Sequence, residues 1–322
     1  MRSIRSDREF AAANILSSAL HARNHFAETR ELDIRCTVVL AALDAAACPM
    51  RLRFWGVRGS TPTPQRDNLR YGGNTPCIEV RSDDDSLLIL DAGTGLRMLG
   101  KALVKEFNSH PIRAHILITH YHWDHIQGLP FFAPLYQKKN SFCFHSLPVR
   151  RASLEQVLKR QMADPYFPVD MRTMRSRWKF TGIEKSPFQI DDFSVRYSRL
   201  NHPQGCLSFR IENGGKAVVY ATDNEPGDPR ADRNLLELAR GADALIYDSQ
   251  FSQEDLGAEK KGWGHSSWKE GVAICRKAGV KQFILFHHDP DSNDAAVDQL
   301  EKKAQARFPR SRAAFEGMTL KF

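Results

Sequence analysis

From Met50 onward the sequence predicts a single α+β domain, and three observations carry that prediction. Short apolar runs with strand character recur throughout. Segments with helical spacing fall between them, at 96–107, 150–160, 233–240, 267–278 and 295–308. No short-period repeat or low-complexity linker interrupts residues 50–322.

Residues 1–49 differ in texture, being rich in Ala, Arg and Ser and free of Lys, with an amphipathic helical spacing over Phe10 to His21. Three readings stay open for them. Thr37 to Ala47 ahead of Cys48 resembles a lipoprotein signal, but Asp44 interrupts it and it lies far from the start. A transit peptide is poor in acids, whereas Asp7, Glu9, Glu28, Glu31 and Asp33 are present. The third reading takes 1–49 as a peripheral or non-native extension. It is favoured because Met50-Arg51-Leu52-Arg53-Phe54-Trp55 starts a strand pattern at once.

Strands are expected at Leu52–Phe54 and Cys77–Val80, separated by a Gly-, Pro- and Thr-rich loop from Gly59 to Asn74. Within Tyr71-Gly72-Gly73-Asn74-Thr75, backbone N–H groups could cradle an anion, or the glycines could serve a tight turn. Ser86–Leu90 reads as a buried strand ending at Asp91. His115–Ile118 reads as another, followed by Thr119-His120-Tyr121-His122-Trp123-Asp124-His125 and a Gly128-Leu129-Pro130 turn. Phe131 to Tyr136 is apolar and aromatic. Asp164 to Trp178 holds Tyr166, Phe167, Arg172, Arg175, Arg177 and Trp178, which suits either a nucleotide or a solvated connection. The remaining strands end at Asn201-His202, Thr222-Asp223, Asp248 and His287-His288.

Taken singly, each terminal Asp or His reads as a cap or an edge polar group. Their recurrence points to metal binding. Three imidazoles and a carboxylate fall in the six positions 120–125, and these donors suit Zn²⁺ and its neighbours. A loop this short serves four donors best by dividing them between two adjacent ions. Asp91 is then placed to cap its turn or to orient a ligating imidazole.

Composition sets the surroundings. The net charge of +8 favours an anionic substrate such as a phosphate ester or nucleic acid, although 46 basic and 38 acidic residues are dispersed as on a solvated surface. With a mean hydropathy of −0.45 and no long uncharged apolar run, no membrane-spanning helix is expected. The six cysteines form no C-x-x-C pair, which suits reduced thiols in a cytoplasmic protein and argues against cysteine as a zinc ligand.

His120-x-His122-x-Asp124-His125, followed by His202, Asp223 and His287, resembles the metallo-β-lactamase superfamily over almost all of residues 50–322. The resemblance implies an α+β, four-layer αββα sandwich with a dinuclear metal site at one edge. It implies two divalent ions, Zn²⁺ first, with Mn²⁺ or Fe²⁺ also suited. His120, His122 and His202 would hold one ion, and Asp124, His125 and His287 the other, with Asp223 bridging and Asp91 behind the ligands. His287 is preferred to His288 because it directly ends its strand. Gly264-His265-Ser266-Ser267 and the run from Gly279 to His287 are similar to the phosphodiesterase branch, which includes ribonuclease Z and cyclic-nucleotide phosphodiesterases. In that branch the histidine matching His265 contacts the phosphate and protonates the leaving oxygen, so Asp124, His265 and Asp248 become the catalytic candidates.

One departure concerns the substrate. Ribonuclease Z has His-Glu-Ala-Thr where this chain has Tyr247-Asp248-Ser249-Gln250, and no long Gly/Pro-rich arm is present. Phe54 to Ser60 together with Asp91 to Gly95 is similar to bacterial proteins labelled cyclic-nucleotide phosphodiesterase-like. The expected substrate is therefore a cyclic nucleotide or other small phosphodiester. An RNA-processing nuclease and a non-catalytic nucleotide-binding protein are the alternatives. RNA and a second copy of the chain are admitted as partners; a membrane is not.

Overall fold

Leu87-Leu88-Ile89-Leu90 shows how the fold is built. Leu88 and Leu90 face one apolar cluster, while Leu87 and Ile89 face another. Alternate residues of a strand point to opposite faces, so an unbroken apolar run marks a strand covered on both sides. Val218 and Tyr220 alternate in the same way with Val219 and Ala221, and Ile284 and Phe286 with Phe283 and Leu285.

The computed structural model describes residues 50–147, 153–252 and 260–322. Its first sheet contains β1 (Met50–Gly56), β2 (Cys77–Ser82), β3 (Leu87–Leu90), β4 (Arg113–Leu117), β5 (Ser141–Ser146), β6 (Arg177–Gly182) and β14 (Thr319–Lys321), in the order β14-β1-β2-β3-β4-β5-β6. The second contains β7 (Phe188–Ile190), β8 (Phe193–Leu200), β9 (Cys206–Asn213), β10 (Lys216–Ala221), β11 (Ala244–Asp248), β12 (Phe283–Phe286) and β13 (Ser311–Ala313), in the order β13-β12-β11-β10-β9-β8-β7. Between the sheets lies a core that includes Leu52, Phe54, Val80, Phe193, Phe209, Ile246 and Phe286. Helix α1 (Gly95–Phe107) covers the outer face of the first sheet through Leu96, Leu99 and Leu103. Two short helices, α2 (Trp123–Ile126) and α3 (Leu154–Gln161), lie on the same side. Helices α4 (Pro229–Ala239), α5 (Trp268–Ala278) and α6 (Asp294–Arg307) cover the second sheet through Leu235, Val272 and Val297. The layers are helix, sheet, sheet, helix, the αββα sandwich that the resemblance implies.

Parallel pairing aligns the functional strand ends. In the first sheet β3 and β4 run parallel. In the second, β10, β11 and β12 run parallel, and β8 shares their direction because both β8 and β10 are antiparallel to β9. The carboxyl ends of all these strands therefore open on one edge of the sandwich.

Several local expectations change. The 119–125 stretch is not wholly irregular: it closes with α2, one helical turn that carries Asp124 and His125. Helix α4 begins four residues early, because Asp228 accepts hydrogen bonds from the backbone N–H groups of Arg230 and Ala231, and Pro229 suits the first turn. The Gly72-Gly73 segment proves to be a tight turn rather than an anion cradle. Glu316 accepts the N–H of Asn74 at 2.7 Å, Thr94 accepts that of Thr75 at 2.8 Å, and Gly72 adopts a φ of 101°. With a carboxylate already there, an anion would be repelled. In the 164–178 stretch, Phe167 and Trp178 pack against the outer core, leaving Tyr166 exposed. Among the described residues no helix is long and apolar enough to cross a membrane. The expectation for residues 1–49, and the start of the helix expected at 150–160, lie outside the described residues.

Candidate metal centre

The strand ends bring the sequence-predicted residues into two adjoining groups. His120, His122 and His202 form one, and Asp124, His125, Asp223 and His287 the other, each with donor atoms within 4.8 Å of one another. Asp223 spans them. Its Oδ1 lies 3.7 Å from His120 Nε2 and 3.8 Å from His202 Nε2, while its Oδ2 lies 3.3 Å from His125 Nε2 and 3.4 Å from His287 Nε2. Asp124 Oδ2 stands 3.2 Å from both His125 Nε2 and His287 Nε2, and it also accepts the N–H of Ser60 at 2.9 Å. His287, not His288, faces the cluster. His288 turns away and donates to the Ala314 carbonyl at 2.8 Å.

Backbone conformation contributes to this convergence. Asp91, Asp223 and His287 sit at φ values of 58°, 56° and 60°, where the chain breaks out of its strand direction. Asp and His tolerate this left-handed region better than most side chains, and non-glycine residues there cluster at functional sites.

Behind the donors stands a layer of positioning contacts. Asp91 is fully buried and takes four donors: Thr119 N–H at 2.8 Å, Thr119 Oγ1 at 2.9 Å, Tyr220 OH at 2.8 Å and His125 Nδ1 at 2.8 Å. His202 Nδ1 donates to the Gly264 carbonyl at 2.9 Å, and His287 Nδ1 to Gln250 Oε1 at 2.9 Å. In each case the other ring nitrogen, Nε2, is presented to the cluster. His122 differs, since Nδ1 meets His202 and Nε2 meets Gln204. Sequence reasoning identified Asp91 but missed Tyr220, Gln204 and the supporting role of Gln250. A tyrosine inside a core strand and two glutamines in loops carry no local signal of such a role.

His265 forms the third side. Its Nδ1 meets Asp248 Oδ2 at 2.8 Å and lies 3.8 Å from Asp223 Oδ1. Asp248 is fully buried and also accepts the Gln250 N–H, so it sits behind His265 rather than facing the open cleft. The loop carrying His265 is held by Glu225, whose carboxylate accepts the N–H groups of Gly262 and Gly264, at 2.8 and 2.9 Å. Gly264 must be glycine: a Cβ there would stand 2.1 Å from His202 Nδ1, and its φ is 87°.

The electrostatics suit a bound cation. Burial, then the neighbouring His125, holds His120 well below the usual histidine range, and burial lowers His202 as well. Both rings are neutral at pH 7, with lone pairs available. Burial opposes protonation of His125, but Asp124, Asp223 and Asp91 outweigh it and raise the group well above its usual range. His265 is likewise pushed up to about 9, burial being overcome by Asp248 and Asp223. Without an ion, the carboxylates recruit protons to this place. His120 Nε2 is buried yet has no hydrogen-bond partner. A buried orphan nitrogen facing a carboxylate, within an all-imidazole and carboxylate donor set, fits a divalent cation.

At the mouth, a cleft of about 490 Å³ is lined by Ser60, Tyr121, His122, Trp123, Asp124, Gln204, Asp223 and His265. Trp123 is 81% exposed although it lies between two of the cluster residues, and Trp263 is also exposed.

Known proteins align with this arrangement. A family model described as a β-lactamase superfamily domain matches residues 87–288. Ribonuclease Z of Haloarcula marismortui is 24% identical over 305 residues, covering 80% of this chain and 92% of that protein. Ribonuclease Z of Thermoplasma acidophilum is 28% identical over 297 residues, covering 78% and 90%. Among solved structures, a diphosphatase from the PhnP family superposes with a TM-score of 0.62 at 18% identity, covering 85% of this chain and 98% of that one. Since the matched region runs from β3 to just past His287 and takes in more than half of the chain, the chain belongs to the metallo-β-lactamase superfamily.

Proposed function

We propose that the protein is a dinuclear metal-dependent hydrolase of phosphodiesters, with residues 50–322 as its hydrolase domain. The observation that carries this reading is the division of Asp223 between two imidazole groups, one oxygen toward His120 and His202 and the other toward His125 and His287. His120, His122 and His202 would hold one ion, Asp124, His125 and His287 the second, and Asp223 both. The donor set suits Zn²⁺ first, with Mn²⁺ or Fe²⁺ also accommodated. Two such cations, when bound, would lower the pKa of a water toward neutrality and offset negative charge on a phosphoryl group.

The remaining work falls to the protein. Asp91, the Gly264 carbonyl and Gln250 fix the orientations of His125, His202 and His287 before substrate arrives. His265, protonated through its contact with Asp248, gives its Nε2 proton to the leaving alkoxide as the P–O bond breaks. Asp248 is a positioning residue in this scheme: it holds the ring and supports its charge. Asp124 would bind metal, and it receives the Ser60 N–H, which stiffens the floor of the cleft.

For the substrate, we favour a cyclic nucleotide or another small nucleotidyl phosphodiester. The cleft volume is of the order that accommodates a small ligand, and exposed Trp123 offers a face on which a base can stack. RNA is the second reading, favoured by the relatives named ribonuclease Z. The four described cysteines are free thiols, which suits a reducing, cytoplasmic setting. Metal-reconstituted protein should be assayed on cyclic nucleotides, bis(p-nitrophenyl) phosphate and a 3′-extended tRNA precursor. Preferential hydrolysis of the small diesters supports the first reading, and preferential cutting of the precursor supports the second. Inertness toward all three with two metals bound would sink both.

A further inference from the structure

A second cluster of metal-binding side chains lies away from the catalytic edge, on β4 and β5. The parallel ladder sets His115 opposite Cys143 and Leu117 opposite His145. Cys143 and His145 are two apart on β5 and so share a face, the same one on which His115 and Leu117 lie. Their donor atoms lie within 4.8 Å of one another. His115 Nδ1 and His145 Nε2 approach to 2.8 Å, the two rings stacking at 5.1 Å between centroids. Cys143 Sγ stands beside Thr181 Oγ1 at 3.4 Å.

We propose that His115, Cys143 and His145 form a third, non-catalytic metal site, suited to Zn²⁺, which ties the first sheet to the turn between β7 and β8. Two imidazoles and one thiolate are a borderline-soft set that favours Zn²⁺ over hard cations, and water can complete a tetrahedron. Both rings are neutral at physiological pH. Burial holds His115 below its usual value, and burial followed by His115 brings His145 down to about 4.

The far side of the site is prepared as well. Asp191, in the β7–β8 turn, places Oδ2 3.5 Å from His115 Nε2. A carboxylate on that side favours the proton on Nε2, which leaves the lone pair of Nδ1 for the cluster. His115 is 27% exposed, which gives an ion a route in, while His145 is buried. Zn–N bonds of about 2.0–2.1 Å in a tetrahedron require N···N near ~3.3 Å, so the two rings need to part by roughly half an ångström. The lack of paired cysteines in the sequence gave no hint of this site. Its ligands come together through strand register rather than spacing along the chain.

Cobalt separates this site from the catalytic one, because the catalytic groups contain no sulfur donor. Full-length protein stripped of metal and titrated with Co²⁺ should develop a thiolate-to-cobalt charge-transfer absorption in the near ultraviolet. The band should persist in Asp223→Ala, where the catalytic pair is broken, and vanish in Cys143→Ser. That variant should bind about one equivalent of Zn²⁺ less than wild type and keep its hydrolytic kcat/KM. Independently of any variant, Zn²⁺ should protect Cys143 from alkylation, read by mass spectrometry of the wild-type chain. Absence of the band in wild type, its survival in Cys143→Ser, or unprotected Cys143 at saturating Zn²⁺ would each overturn the proposal. The cobalt band and the alkylation readout do not depend on whether the catalytic reading is correct.

Discussion

The two sheets supply the candidate metal centre in opposite ways. The first delivers His120, His122, Asp124 and His125 from one short stretch after β4, shaped by a single helical turn. The second delivers one residue from each of four strand ends: His202 after β8, Asp223 after β10, Asp248 closing β11 and His287 after β12. One half is local chemistry and the other is sheet register. In a strand with period two, a slip of one residue would turn a donor away from the cluster, so the second half depends on the whole ladder being correct. Asp223 joins the halves, and Asp91 braces the local one.

The largest effect should come from cutting that joint. Asp223→Ala should lower kcat/KM for bis(p-nitrophenyl) phosphate by at least roughly a thousand-fold, about 4 kcal/mol of transition-state stabilisation. Metal analysis should show fewer than the about two equivalents expected at the catalytic pair. Full activity in a clean preparation of this variant would refute the dinuclear reading. Next in size is His265→Ala, which touches the second-sheet side without removing a metal ligand. Its kcat should drop about 10²–10⁴-fold while metal content holds, and a substrate whose leaving group is already acidic should suffer least. Equal losses on good and poor leaving groups would exclude His265 as the proton donor.

Asp91→Asn probes the brace behind the local half. The amide cannot serve all the donors that converge there, and metal affinity or turnover should weaken by about 10–100-fold. Isothermal titration with Zn²⁺ reads this directly; wild-type affinity would mean that His125 needs no such support. The smallest effect should follow Trp123→Ala, which lies in the local motif but outside the donor set. Loss of one stacking face should raise KM for a nucleotide substrate by about tenfold with kcat nearly unchanged, the low end of base–aromatic stacking energies. An unaltered KM would remove Trp123 from the substrate's path.

Legibility followed the same division. The local half announced itself because its residues are contiguous, and the strand-end residues were readable because each follows an apolar run. Strands buried on both faces were easiest to place: Leu87–Leu90 was found close to its true limits, and Phe283–Phe286 ends just before His287 as expected. β5, β6 and β9 carry mixed polar patterns and were not anticipated. β6, for example, is Arg177-Trp178-Lys179-Phe180-Thr181-Gly182 at an edge, where one face needs no apolar residues. The glycine turn at 72–73 was ambiguous because its decisive partner, Glu316, lies at the other end of the chain. Tyr220 stayed hidden for a related reason: its ring belongs to the core, and only its hydroxyl reaches Asp91.

Glu225 has a consequence for how far a single substitution would reach. It follows Asp223 by two residues and holds the Gly262–Gly264 loop through backbone hydrogen bonds, while its own N–H and carbonyl bond to Asn201, the neighbour of His202. Gly264 in turn receives His202 Nδ1 on its carbonyl and immediately precedes His265. His202, the 262–264 loop and His265 therefore share one short mechanical linkage. A substitution at Glu225 would thus loosen His202 and His265 together, although neither side chain touches it.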